Sequence, residues 1–95
     1  MPAPSTAIIN HIALSVTDLD ESASFYREVM GLNPIPEPFG EGRHAWFDIG
    51  NGTELHLIRS ATHRREHPRN HHICFSVNDM DRFIHRLTSR DIPFT

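Results

Sequence analysis

An internal repeat constrains the fold of this chain more than any other feature of its sequence. Segment 10–16 (NHIALSV) aligns with segment 71–77 (HHICFSV), and every position after the first holds the same residue or a conservative replacement. This alignment places His11 opposite His72, and the similarity continues into the acidic residues that follow each segment. A repeat of this length marks two copies of one supersecondary unit. The chain is therefore expected to contain the same strand-then-helix unit twice.

Each copy begins with the period-two alternation that is typical of a half-buried strand. The predicted core faces are formed by alternate residues of the two segments: Ile12, Leu14 and Val16 in the first copy, and Ile73, Phe75 and Val77 in the second. The opposite faces carry small or polar residues and one histidine each, His11 and His72. The repeat therefore predicts two strands that turn a histidine away from the core.

A helix is predicted after each strand. Asp18 is suited to cap the first helix, and Glu21 three residues later completes a capping box. Gly31 is the residue type expected just past its end. The second helix is predicted from about Asp79 to near Arg90, before a proline that cannot continue a helix.

A hairpin is predicted between the two copies. Segments 44–49 and 53–59 alternate as strands, and Asn51-Gly52 between them is the strongest short-range hairpin signal. The proline-rich stretch 34–38 favours a loop, with room for one further short strand. We interpret the chain as one domain, 1–95, with a first module at about 8–59, a linker at 60–70 and a partial second module at 71–95.

Composition excludes several classes of partner and location. Nine arginines and no lysine stand against twelve acidic residues, and the net charge of −3 argues against nucleic acid as a partner. The sequence has no run of about 18 apolar residues, so no membrane span is expected, and no signal peptide is visible at its start. One cysteine suits a reducing compartment, so we expect a cytoplasmic protein. Apolar residues make up 38%, a thin core for a small domain, which favours a partner subunit.

Three histidines are predicted to lie on the non-core faces of three strands: His11, His56 and His72. A single inward histidine is more often a hydrogen-bonded structural residue than a ligand. Equivalent positions in a repeat, with His56 on the matching face of the hairpin, favour a metal site, because imidazoles converging from adjacent strands ligate divalent metals at about 2.0–2.1 Å. The other five histidines are interpreted as solvated polar residues: His44, His63, His67, His71 and His85.

Three further residues are candidates for a substrate pocket beside these histidines. Trp46 either walls the pocket or only covers the hairpin. Glu54 shares a face with His56 and either acts as a base or is a cross-strand surface charge, the more common role. Cys74 shares a face with His72, and it has no C-x-x-C partner that would make a zinc finger.

The same residues carry a resemblance to a known family. The strand starts HIALSV (11–16) and HICFSV (72–77), the segment DLDESASFYREVMGL (18–32) and the hairpin GNGTELHLI (50–58) resemble the vicinal oxygen chelate superfamily. That superfamily includes glyoxalase I, bleomycin resistance proteins and extradiol dioxygenases. The resemblance covers residues 8–95. It implies an α+β fold of paired βαβββ modules that form a curved half-barrel cup, with the second module incomplete in this chain.

The resemblance also implies a metal site. In this superfamily the first strand of each module supplies a histidine, which matches His11 and His72, and the last strand of the first module supplies the ligand that matches His56. A glutamate from the last strand of the second module usually completes the site and often acts as the catalytic base. That position is expected beyond Thr95, so no catalytic residue is assigned. One divalent metal per site is expected, with Zn, Fe, Ni, Co or Mn all compatible.

Several functions remain open at this point. The leading hypothesis is a metal-dependent enzyme, either a glyoxalase I-like lyase or isomerase or an extradiol-type dioxygenase, in which the metal acts as a Lewis acid on a small molecule with adjacent oxygens. The alternative is a metal-free drug-binding protein of the bleomycin resistance type. A third hypothesis is a truncated product that has the fold and no activity. A homodimer is expected, because an incomplete second module leaves an unpaired sheet edge.

Overall fold

A computed structural model describes residues 7–60 and 72–95 of the chain. The chain forms two compact units, Met1–His63 and Arg64–Thr95. The elements in chain order are β1 His11–Val16, α1 Leu19–Ser24 followed by a π-helical segment Phe25–Val29, β2 Asn33–Ile35, β3 His44–Gly50, β4 Thr53–Arg59 and α2 Met80–Ser89. The first unit is thus a βαβββ module, as the sequence predicts, and the proline-rich region does contain the extra short strand β2.

The first helix begins where the capping pattern predicts. The carboxylate of Asp18 accepts a hydrogen bond from the backbone N–H of Glu21, 3.0 Å away. The helix widens into the π-helical segment, where the N–H of Met30 donates to the carbonyl of Phe25. Gly31 follows with a φ of 73°, the left-handed conformation that glycine adopts at helix ends.

The sheet of the first unit has the strand order β1-β4-β3-β2. β1 is parallel to β4, whereas β3 is antiparallel to both β4 and β2. The β3–β4 turn is the predicted one: Asn51 and Gly52 both have positive φ, 55° and 81°, which is what a two-residue hairpin turn matched to the strand twist requires. The parallel β1–β4 pair matters for function, because it places the first and last strands of the module side by side.

One face of this sheet forms the core beneath α1. Phe47, Leu55 and Leu57 are its most buried members, with exposed fractions of 2%, 0% and 0%. Half-buried apolar residues pack around them: Ile12, Leu14, Val16, Leu19, Ala23, Tyr26, Leu32, Ala45 and Ile49. The ring of Tyr26 packs against Phe47, with centroids 6.3 Å apart, and burial raises the pKa of its phenol. Alternation along the strands therefore turns His11, Trp46, His56 and Ile58 to the opposite face of the sheet.

The second unit is dominated by α2. Asp79 caps this helix by accepting from the backbone N–H of Arg82 at 3.0 Å, and Leu87 is its buried residue. The predicted strand at 72–77 is wrong in the part of the chain that the structure describes, where no strand is assigned to it. A strand needs a hydrogen-bonded neighbour, and every strand of the described sheet lies within His11–Arg59. Phe75 and Val77 are nevertheless less exposed than the residues beside them, whereas Ile73, the third residue of the predicted core face, is exposed.

The predicted module boundaries and the single domain stay predictions, and the interior of the predicted linker, 61–70, lies outside the described residues. Across 7–60 and 72–95 no helix combines the length and the apolar run needed to cross a bilayer.

Candidate functional site

The face of the sheet opposite the core gathers the histidines of the first unit. In the strand register His56 lies directly opposite Ala13 on one side and Trp46 on the other. His11 lies opposite Glu54, one row away on the same face. The pairing of β1 with β4 continues past the strand itself, because the N–H of Glu54 donates to the carbonyl of Asn10 at 2.9 Å. Backbone hydrogen bonds thus fix the spacing between His11 and His56.

Three aromatic rings on this face form a continuous stack. The rings of His56 and Trp46 are nearly parallel, 3° apart in orientation, with centroids separated by 3.7 Å. The ring of His11 lies against that of His56, at 4.3 Å and 14°. Because the His56 ring is enclosed by His11 and Trp46, it is only 9% exposed. The central imidazole is therefore held in one orientation by its two neighbours.

Polar contacts orient both imidazoles. Nε2 of His56 donates a hydrogen bond to the carboxylate Oε1 of Glu54, 2.9 Å away. Nδ1 of His11 lies 2.8 Å from the side-chain oxygen of Asn10, in an exposed position. Glu54 is thus a hydrogen-bond partner of the buried His56, whereas the sequence left open whether it acts as a base or is a surface charge.

An open depression of about 370 Å³ lies against the stack. This volume falls in the range of small-molecule sites. Its other walls are Phe39, His44 and Ile58, and the Phe39 ring lies 4.5 Å from His44 and edge-on to Trp46 at 6.1 Å. The indole Nε1 of Trp46 is buried and has no hydrogen-bond partner among the described residues. The depression is therefore largely aromatic, and three of its lining residues are histidines: His11, His44 and His56.

The side chains of this face are of the types that bind a divalent metal, although the imidazole rings of His11 and His56 do not point at a common position. Two imidazoles and a neighbouring carboxylate are ligands typical of Zn, Fe, Ni and Co sites. Imidazole lone pairs lie in the ring plane, so the nearly parallel His11 and His56 rings cannot both point at one ion. Ligation of one ion by both rings would therefore require the His11 ring to leave its stack on His56 and its contact with Asn10, and the exposed position of His11 gives it room to do so. Within 7–60 and 72–95, no three His, Cys, Asp or Glu side chains are already placed around a common metal position.

Comparison with known proteins identifies the family of this chain. The family model described as "Glyoxalase/Bleomycin resistance protein/Dioxygenase superfamily" matches residues 8–95. The chain belongs to this superfamily. The resemblance seen in the strand starts and the hairpin is confirmed, and so is the α+β fold of βαβββ type.

Individual members of the superfamily are similar to the chain at modest identity. A Metallothiol transferase FosB of Shouchella clausii is 37% identical over 83 residues, which cover 83% of this chain and 54% of the relative. Glyoxylase I 4 of Arabidopsis thaliana is 27% identical over 92 residues, 90% of this chain and 53% of the relative. The chain therefore spans about half the length of these relatives. The crystal structure of a lactoylglutathione lyase from Agrobacterium tumefaciens superimposes with a TM-score of 0.68 at 28% identity, over 96% of this chain and 75% of that one.

The remaining predicted site residues lie in the second unit or outside the described residues. His72 and Cys74 belong to the second unit, and both are exposed. His85 on α2 is exposed, as predicted. The predictions for His63, His67 and His71 fall on residues that the structure does not describe. The structure thus brings together His11, His56, Glu54 and Trp46. The role of His72 as a metal ligand stays a prediction.

Sequence reasoning missed two residues of the depression. His44, interpreted as a solvated histidine, is half-buried between the hairpin and Phe39, and that interpretation is wrong. The alternation of β3 is the signal that would have found it, because His44 is two residues from Trp46 and so shares its face. Phe39 had no such signal, since it lies in a loop whose path depends on backbone conformations that periodicity does not encode.

Proposed function

We propose that the chain is a divalent-metal-dependent enzyme of the glyoxalase/dioxygenase type, acting on a small molecule with two adjacent oxygens. The observation that carries the proposal is the pair His11 and His56, held side by side by the parallel β1–β4 register on the face of the βαβββ module opposite its core. Membership of the superfamily and the depression beside the pair support it.

His11 and His56 would supply two of the metal ligands, and His72 is proposed as the third, from its equivalence to His11 in the repeat. The metal, when bound, would polarise the substrate oxygens as a Lewis acid. Glu54 accepts the Nε2–H of His56 and so orients the imidazole and sets its tautomer, as carboxylates commonly do for metal-bound histidines. Trp46 covers the other face of His56 and excludes water from that side. Phe39 and Ile58 form apolar walls for the rest of the substrate.

An activity panel tests this proposal. Protein purified without a metal-affinity tag is dialysed against a chelator, reloaded with Zn, Ni, Co, Mn or Fe(II), and assayed on methylglyoxal with glutathione, on catechols and on fosfomycin with thiols. The proposal expects turnover of one substrate that requires metal and disappears in His11→Ala. Equal turnover before and after metal removal would contradict it.

A metal-free binding protein of the bleomycin resistance type is the second candidate function. The observation that favours it is the three-ring stack, because flat drugs bind well to aromatic surfaces. It predicts tight binding of a drug that carries a flat aromatic group, such as the bithiazole of bleomycin, without metal and without turnover. Isothermal titration of the chelator-treated protein with bleomycin separates the two candidates.

We also propose that the protein is a homodimer whose partner subunit completes the metal site, a proposal that the low apolar content and the repeat equivalence of His11 and His72 support. Mixing His11→Ala and His72→Ala chains tests it. If the site takes His11 and His56 from one chain and His72 from the other, each mixed dimer regains one of its two sites. Half of randomly mixed dimers are mixed, so metal content should return to about a quarter of the wild-type level.

Two results of this mixing experiment would count against the shared site. Mixtures that hold no more metal than the separate variants would place all three histidines of a site in one chain. Sedimentation equilibrium that shows a monomer at micromolar concentration would rule out the dimer itself. The control is a mixture of two His72→Ala preparations, which cannot regain a site in either arrangement.

A further inference from the structure

A wall of aromatic and apolar side chains lines the depression beside His11 and His56. Phe39, His44, Trp46 and Ile58 form it, and among the described residues no arginine or carboxylate lines it. The imidazole of His44 lies against the Phe39 ring and the indole N–H of Trp46 is buried, so the wall offers little to a phosphate or a carboxylate, whereas it matches a flat apolar ring. We therefore expect this wall to discriminate between substrates by shape and polarity.

Phe39 is the least covered member of this wall. Phe39 is 54% exposed. The centroid of its ring lies 4.5 Å from that of His44, and the ring makes an edge-on contact with Trp46. An exposed phenyl ring beside two other rings leaves apolar surface available for a further ring. Offset or edge-on stacking on such a surface is favourable beyond the area it buries.

The loop that carries Phe39 is held in place by a carboxylate clamp. Both carboxylate oxygens of Glu37 accept backbone hydrogen bonds, one from the N–H of Phe39 at 2.8 Å and one from Gly40 at 2.9 Å. Gly40 has a φ of 64°, a conformation that residues with a Cβ rarely adopt. Pro36 and Pro38 further restrict the backbone on either side of Glu37. The phenyl ring is thus presented to the depression by a loop with few alternative conformations.

We propose that Phe39 is a specificity-determining residue, held by Glu37, that selects substrates carrying a flat aromatic group next to their adjacent oxygens. This inference rests on the proposed function for the position of those oxygens at His11 and His56. Phe39 contacts the substrate's ring, and Glu37 acts only as a positioning residue through the loop backbone.

A matched pair of chelating probes tests the inference. Benzohydroxamate and acetohydroxamate present the same two adjacent oxygens and differ in a phenyl against a methyl group. Stacking on one aromatic residue predicts that the cobalt-loaded wild-type protein binds benzohydroxamate roughly three- to tenfold more tightly. Phe39→Ala should remove this preference by weakening benzohydroxamate binding more than acetohydroxamate binding, whereas Phe39→Tyr should retain it. Equal affinity of the wild type for both probes, or a preference that survives in Phe39→Ala, would overturn the inference.

The positioning role of Glu37 and the metal are tested with the same probes. Glu37→Gln keeps one acceptor oxygen of the two, so the preference should fall while acetohydroxamate still binds as before. Phe25→Ala is the control, because Phe25 is a partly exposed phenylalanine on the helical face of the module, packed against Tyr26.

In chelator-treated protein, a retained phenyl preference with no effect of metal on affinity would refute the proposed function and support the role of Phe39. Metal-dependent binding without a preference for the phenyl group would support the proposed function and refute the role of Phe39.

Discussion

Replacing Phe47 with alanine is expected to lower the free energy of unfolding by about 3–5 kcal/mol. Phe47 is 2% exposed and lies at the centre of the core, between Leu55, Leu57 and the ring of Tyr26. Truncation removes its buried area and leaves a cavity that a two-layer module has few ways to fill. Urea unfolding followed by the fluorescence of Trp46, the single tryptophan of the chain, measures the change.

Phe39→Ala is the matched control for this stability prediction. It deletes the same side chain at a position that is 54% exposed on the opposite side of the hairpin. We expect it to lower the free energy of unfolding by less than about 1 kcal/mol. If the two variants were equally destabilised, the assignment of the core to the helical face of the sheet would be contradicted.

His56→Ala and His11→Ala are each expected to weaken metal binding by more than about a hundredfold. Each removes a proposed ligand, and the loss of a residue that only hydrogen-bonds to a ligand already weakens metal binding about ten- to a hundredfold. Elemental analysis after gel filtration measures the retained metal. His56 is buried, so its replacement also disturbs the ring stack. His11 is exposed, and its replacement therefore separates ligation from folding.

His85→Ala is the matched control for metal content. His85 is an exposed histidine on α2, and its removal should leave the bound metal unchanged. Metal that stays stoichiometric in His11→Ala and in His56→Ala, or that falls equally in His85→Ala, would refute the proposed ligand set.

The first module could be predicted from sequence because its signals are local. The capping box at Asp18, the positive-φ turn at Asn51-Gly52 and the alternation of the strands each act within a few residues. The same alternation placed His11, His56 and Trp46 on one face, since strand register decides which residues share a side.

The parts that were missed depend on partners rather than on local pattern. Segment 72–77 has the alternation of a strand, but alternation only sorts side chains between two faces, and a strand also needs a neighbour to hydrogen-bond. The helix predicted as one piece changes into a π-helical segment at Phe25, which helical periodicity does not reveal. The parallel stacking of the His11, His56 and Trp46 rings depends on side-chain torsions, and the approach of Phe39 depends on its loop.

The central claim, that the histidine face of the first module binds a divalent metal, is tested most directly by the fluorescence of Trp46 during titration with Co²⁺. The indole lies 3.7 Å from the ring of His56, so a paramagnetic ion held there should quench it strongly. We predict saturable quenching that Zn²⁺ reverses by competition and that His11→Ala abolishes. Emission that stays constant while Co²⁺ binds, or quenching that is the same in His11→Ala, would contradict the claim.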